Sequence, residues 1–306
     1  MKQSYRFFIS SIMLLGMSWQ AIMAQEDNLI GLLGEETEKE QVVNAFKSPR
    51  VVNSHSIEML GAGALDFRIL HRFGKISDGF YNLFGLDNAS MRMSFDYGIS
   101  SNLSIGIGRS TNRKEMDGFA KYRLLSQTRG SKPIPISLVL VGGAAYNGLR
   151  APFSNPEIEP TFKRRLAYYT QLIIGRKFNE KISLQLAPTW LHRNIVEQQQ
   201  IDNDLMAIEL GARYKLVKRV ALIIDYSYIL NPPFPNSGHN PLSIGFDIDT
   251  GGHVFQLHFS NAVGMNERAL LSEANGDWLN GDIQFGFNLS RVFQLKKIKK
   301  ADQLVH

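Results

Sequence analysis

Two residues of the chain have the types and spacing for covalent hydrolysis. In His258-Phe259-Ser260-Asn261-Ala262 the His and the Ser stand two apart. On a strand that spacing puts both side chains on one face, where an imidazole activates a hydroxyl as nucleophile. Other chemical motifs are thin. Gly106-Ile107-Gly108 is half a dinucleotide fingerprint, with no third Gly at the needed spacing, and reads as a glycine pair packed in a strand. The 7 His are scattered, without His-Glu-x-x-His or paired ligands. Cys is absent, which removes thiolate metal sites, Cys nucleophiles, disulfides and a lipid anchor on an N-terminal Cys. No metal and no cofactor is expected.

The elements that position these residues follow from composition and period. With 306 residues, 44% hydrophobic and 20% charged, the chain is neither disordered, collagenous nor coiled-coil. The formal charge of +6 is thinly spread, which argues against a nucleic-acid partner. Lys2 and Arg6 flank the apolar stretch from Phe7 to Trp19, and Ala24 ends the segment, so residues 1–24 read as a secretory signal cleaved after Ala24. No later stretch has the 18 or more apolar residues of a membrane helix; the longest run, Ile134 to Tyr146, is broken by Pro135, Ser137, Gly142 and Gly143. The exported chain is therefore soluble in an outer compartment or spans a membrane as a closed barrel.

Alternation favours the barrel. Met91 to Tyr97, Met206 to Leu216, Val220 to Tyr228, Phe255 to Ser260 and Asp282 to Ser290 all alternate apolar with small or polar residues. Runs of about ten residues match a tilted transmembrane strand. The less apolar face holds Gly, Ala, Ser, Asn and Gln with scattered charges, as in a narrow lumen, and not the Lys, Glu and Thr of a wet sandwich face. Tyr97, Tyr146, Trp190, Tyr214, Tyr226, Tyr228 and Phe293 sit near the ends of the apolar faces, like interfacial girdles.

Eleven strands are expected at 64–73, 89–98, 102–110, 118–126, 134–146, 166–178, 181–192, 204–217, 219–230, 252–262 and 281–293. An even count needs one more, placed at Arg268 to Ser272, giving twelve with ten as the alternative. The long connections 74–88, 147–165, 193–203 and 231–251 then face outward and both termini the periplasm. Pro188, inside a strand, points to a bulge. The domain division is a signal at 1–24, a periplasmic segment at 25–60, a barrel at 61–295 and a basic tail at 296–306. In 25–60, Val42, Val43 and Phe46 have helical spacing, and Val51 to Met59 either plugs the lumen or adds a strand.

Several stretches carry a family likeness: Ala45-Phe46-Lys47-Ser48-Pro49-Arg50, Leu65 to Gly74, Leu83-Phe84-Gly85-Leu86-Asp87, Ile107-Gly108-Arg109, Lys121-Tyr122-Arg123-Leu124 and Phe285 to Phe293. The chain resembles a Bacteroidota family of predicted outer-membrane β-barrels without an assigned function. The resemblance implies fold and location and carries over no catalytic or binding residue.

On a barrel, the pair singled out first resembles the His-x-Ser-Asn stretch of outer-membrane lipid hydrolases, which implies His258 as base and Ser260 as nucleophile. Alternation opposes this, because Phe255, Leu257 and Phe259 claim the lipid side and turn His258 and Ser260 inward. The strand direction expected from the count also puts Ser260 at the periplasmic end. The lumen receives Asp66, Arg68, Arg72, Arg92, Asp96, Lys121, Arg123, Glu209, Arg213, Lys215 and Asp225, either as ion pairs filling the interior or as a narrow path for a small, anionic solute. Lys163-Arg164-Arg165 caps a long loop, free in solvent or facing anionic lipid head groups. The reading is a non-enzymatic outer-membrane barrel of structural, small-solute or surface-binding role. Its partners are outer-membrane lipids and, during biogenesis, the barrel assembly machinery. The alternatives are a lipid hydrolase and a soluble periplasmic β-protein.

Overall fold

Alternation over segments of 7 to 14 residues produces twelve antiparallel strands, each hydrogen-bonded to its neighbours in sequence. They are β1 (Ala64–Lys75), β2 (Ala89–Gly98), β3 (Leu103–Ser110), β4 (Met116–Leu125), β5 (Ser137–Tyr146) and β6 (Leu166–Lys177), followed by β7 (Ile182–Arg193), β8 (Asp204–Val217), β9 (Val220–Ile229), β10 (Leu242–Asp249), β11 (Val254–Ser260) and β12 (Gln284–Gln294). β12 pairs with β1 through partners such as Leu289↔Ile69 and closes the sheet, so no strand edge is left unpaired. The computed structural model describes residues 38–196, 202–232 and 239–296. The chain divides into two units, residues 1–40 with 128–133, and 41–127 with 134–306. The described part of the first is short extended chain; the barrel lies in the second.

The outer face is apolar. Leu140, Leu184, Met206, Leu210, Phe246 and Phe259 are exposed there, and so are Trp190, Tyr214, Tyr228 and Phe293 of the expected aromatic girdles. Neighbours one position along point inward and are buried, as Gln185 and Glu209 are. A soluble protein would not leave such a continuous apolar surface in water.

The strand count is twelve, but the twelfth strand differs from the expected one. Arg268 to Ser272 is not a strand; it lies in a short helix, α1 (Glu267–Glu273), capped by the Asn266 side chain, which accepts from the Ala269 N–H at 2.9 Å. The missing strand is β10, inside the segment read as a long loop. Leu242, Ile244, Phe246 and Ile248 alternate there with Ser243, Gly245, Asp247 and Asp249. This reverses β11. Its C-terminal Ser260 lies at the end that carries the long connections 76–88, 147–165, 194–203, 230–241 and 261–283. The connections 99–102, 178–181, 218–219 and 250–253 at the opposite end are short. Pro188 makes no bulge. The β6–β7 ladder skips from Gln171↔Thr189 to Ile174↔Leu186 in unchanged register, the local cost of one missing N–H. Residues 41–60 hold no helix, so Val42, Val43 and Phe46 follow a bent chain.

Lipid contact on the outer face has a measurable consequence. Leu210 lies mid-strand in β8 and Leu216 near its end. Leu210→Arg should cost about 2–4 kcal/mol of folding free energy in lipid vesicles, and Leu216→Arg about 0–1 kcal/mol. Denaturant titrations of both variants against the wild type measure the difference.

Candidate functional site: a filled lumen with an open mouth

The barrel is wide enough to hold chain, and residues 45–60 occupy it. Val51 N–H bonds Ser54 O and Ser56 N–H bonds Pro49 O, both at 2.9 Å, which folds 49–56 into a tight hairpin. Hairpin residues Arg50 to Ile57 are buried. An inserted hairpin has backbone groups that no ladder satisfies, so inward polar side chains must serve them. Asp225 accepts from the N–H groups of Val52, Asn53 and Ser54 at 3.2, 2.7 and 3.0 Å and from Ser54 Oγ at 2.7 Å. Gln185 accepts from Ile57 N–H at 3.0 Å and donates to His55 O at 2.7 Å. Gln256 and Asn288 donate to Val51 O and Val52 O, and Lys121 Nζ donates to Glu58 O, each within 2.6–2.9 Å.

A second insert enters from the long-loop end. In α1, Glu267 Oε1 accepts from Arg50 NH1 at 2.7 Å and lies 3.1 Å from His55 Nε2, with all three side chains at most 1% exposed. The hairpin and the helix therefore meet inside the barrel at a buried ion pair.

The wall around them has two characters. Val139, Val141, Tyr169, Ile173, Leu191 and Leu205, from β5 to β8, pack with Phe46, Val51 and Ile57 of the hairpin and Leu271 of α1. The wall from β1 to β3 and β10 to β12 is polar. Arg92 pairs with Asp117 (Nε to Oδ1, 2.9 Å), Arg68 with Asp66 at 3.5 Å, and Arg72 with His258. Both Asp96 carboxylate oxygens, one of Asp66, and the hydroxyls of Ser94 and Ser104 are buried without a protein hydrogen-bond partner among the described residues. Such groups remain buried only where water or a polar solute reaches them.

Of the charged residues expected in the lumen, Asp66, Arg68, Arg72, Arg92, Asp96, Lys121, Glu209, Arg213 and Asp225 point inward and are buried. Arg123 and Lys215 are half-buried near the short-turn end. Arg213 lies 3.9 Å from Asp247, and Glu209 accepts from Gln171 at 2.7 Å. Sequence reasoning missed Asp117, one residue before the expected start of its strand, and Ser243 and Asp247 on β10. In all three the signal was alternation, Asp117 with Phe119 and Lys121, and Ser243 with Asp247. It also missed Arg50 and His55, which no periodicity marks. Gly106 and Gly108 face inward; a Cβ at Gly108 would strike the Arg92 guanidinium and one at Gly106 the Asp96 carboxylate.

The structure does not assemble the hydrolase constellation. His258 meets Arg72, and Ser260 Oγ accepts from Ser243 Oγ at 2.8 Å and from Ala262 N–H at 3.2 Å. Both point into the lumen. Glu267 is held by Arg50 and Glu273 by Arg268 at 2.7 Å. Burial pushes the Glu273 carboxyl up, but the charge of Arg268 outweighs it and holds the group below its ordinary range. For Glu115, which also meets Arg268, burial wins and raises it. Among the described residues no group of three or more His, Asp or Glu stands close enough to hold a metal.

No curated protein matches the chain. Among solved structures the NanC porin has 7% identity over 76% of this chain and 100% of its own, with a TM-score of 0.46. The KdgM porin has 8% identity over 75% and 98%, with a TM-score of 0.42. A family described as a membrane-bound β-barrel domain matches residues 46–293, from the first buried hairpin residues to the last strand. The chain belongs to that membrane-bound β-barrel family.

Proposed function

We propose that the protein is an exported, non-enzymatic barrel of the outer membrane, of Bacteroidota type, and that it passes small polar solutes through a lumen held shut by its own chain. One observation carries this reading: the hairpin 45–60 fills the lumen, yet it is anchored there by hydrogen bonds and the Arg50–Glu267 pair, with no covalent tie. Buried polar atoms without a hydrogen-bond partner among the described residues stand on several strands, among them Asp96 and Ser104 on one side and Glu209 and Ser227 on the other, and they supply the polar lining that a hydrated path needs. In this reading the long connections face outward, outer-membrane lipids surround the apolar face, and the assembly machinery inserts the chain. The segment 1–24, outside the described residues, is the export signal. Non-enzymatic character is supported by the engagement of His258 and Ser260 with Arg72 and Ser243.

Three measurements test this. Export expects the membrane-fraction protein to begin at Gln25 by mass spectrometry; an intact Met1 overturns it. Removing one partner of a buried ion pair costs about 3–5 kcal/mol, because the other is left buried and uncompensated. Arg50→Met should therefore speed amide exchange at Val52, Asn53 and Ser54 while the strands stay protected. In planar bilayers the wild type should be nearly silent, and Arg50→Met, which leaves Glu267 buried and unpaired, should show repeated opening steps. Silence of both makes the protein a scaffold barrel.

A further inference from the structure

The long-loop end of the barrel opens into a cavity of about 890 Å³. Residues from 111–115, 147–165, 194–196 and 261–283 wall it, together with the last residue of β7 and the first residues of β6. Its volume is in the range of small-molecule sites, typically about 300–1,000 Å³. Its charge is one-sided: Arg113, Arg164, Arg165, Arg193 and Arg268 line it, against Glu273.

The arginines differ in their partners. Arg113 and Arg268 bond Glu273 at 2.6 and 2.7 Å, and Arg268 Nε also donates to Glu115 at 2.6 Å. Two acids thus balance two bases. The other three hydrogen-bond only main-chain carbonyls among the described residues, and Arg165 also lies over the Tyr146 ring, 5.8 Å from its centroid. Arg164 donates to Glu159 O at 3.2 Å, Arg165 to the carbonyls of Pro160 and Leu149 at 3.0 and 2.5 Å, and Arg193 to Asp202 O at 2.5 Å. Carbonyls fix the direction of a guanidinium and leave its charge uncancelled. The buried Arg193 Nε has no hydrogen-bond partner among the described residues. Three oriented guanidiniums with no carboxylate bonded to them among the described residues form a preorganised anion receptor around one concavity, since the cost of ordering long side chains is met in the fold. Phe153, Ile195 and Val196 add apolar wall for the body of a solute.

We propose that this vestibule binds a small carboxylate or phosphate anion carrying two or more negative charges. The same chemistry is offered by a free solute and by a lipid phosphate, and the experiment separates them. Refolded full-length protein in neutral detergent is titrated calorimetrically with pyrophosphate, with citrate, and with dihexanoylphosphatidic acid below its micellar concentration. Saturable binding of pyrophosphate or citrate assigns a free solute; binding of the short-chain lipid alone assigns a head group. In either case Arg164→Gln and Arg193→Gln should each weaken binding about tenfold, the scale of one charge-assisted hydrogen bond. Arg109→Gln, on the exposed outer face of β3, should change it less than twofold. A shift in gel migration between unboiled and boiled samples, equal to that of the wild type, checks that each variant folds. The proposal is overturned if no probe binds, if the two vestibule variants bind like the wild type, or if Arg109→Gln weakens binding as much as they do. Binding is measured with the lumen shut, so a silent bilayer recording leaves this test unaffected.

Discussion

The interior of this barrel is organised around one ion pair. Arg50 and Glu267 come from inserts that enter from opposite ends, and their side chains are 0% and 1% exposed. A guanidinium and a carboxylate at that depth hold together only if each keeps its partner, because an isolated charge there would be too costly to bury. The pair therefore couples the position of the hairpin to that of α1. His55, 3.1 Å from the same carboxylate oxygen, extends the contact on the hairpin side. Without this meeting point each insert would depend on the barrel wall alone, the hairpin on partners such as Asp225.

The wall is matched to that arrangement. A twelve-strand barrel is too wide for its own side chains to fill, and the hairpin supplies the missing volume. Its apolar residues Phe46, Val51 and Ile57 face the Val, Ile and Leu of β5 to β8, while its backbone polar groups face Asp225, Gln256 and Asn288. The family match begins at residue 46 and so includes this hairpin. The hairpin lies within the matched family domain as the strands do.

The strands were legible because a bilayer outside and a polar lumen inside impose strict alternation, a signal that survives in single segments such as Met206 to Leu216. β10 alternates as cleanly, but it follows a proline-rich stretch that ends at Pro241, and it was absorbed into that loop. An even strand count still requires a twelfth strand, and the sequence offers Arg268 to Ser272 for it. There, Asn266 as N-cap and the adjacent buried Ala269, Leu270 and Leu271 were the signs of a short helix packed on several sides. The hairpin was harder still. Its conformation is set by partners more than 100 residues away, such as Asp225 and Gln185, and a segment held that way needs no period of its own. The same reason hid the Arg50–Glu267 pair, whose members are 217 positions apart.

α1 ties the mouth to the interior. Its first residue, Glu267, holds the hairpin through Arg50, and its last, Glu273, holds Arg113 and Arg268 in the vestibule. Seven helical residues span about 10 Å, and backbone hydrogen bonds make them move as one piece. The two acids of one short helix thus stand at its two ends, Glu267 paired with the hairpin and Glu273 with the arginines of the mouth, so the same seven residues serve both the filling of the lumen and the charge of the vestibule.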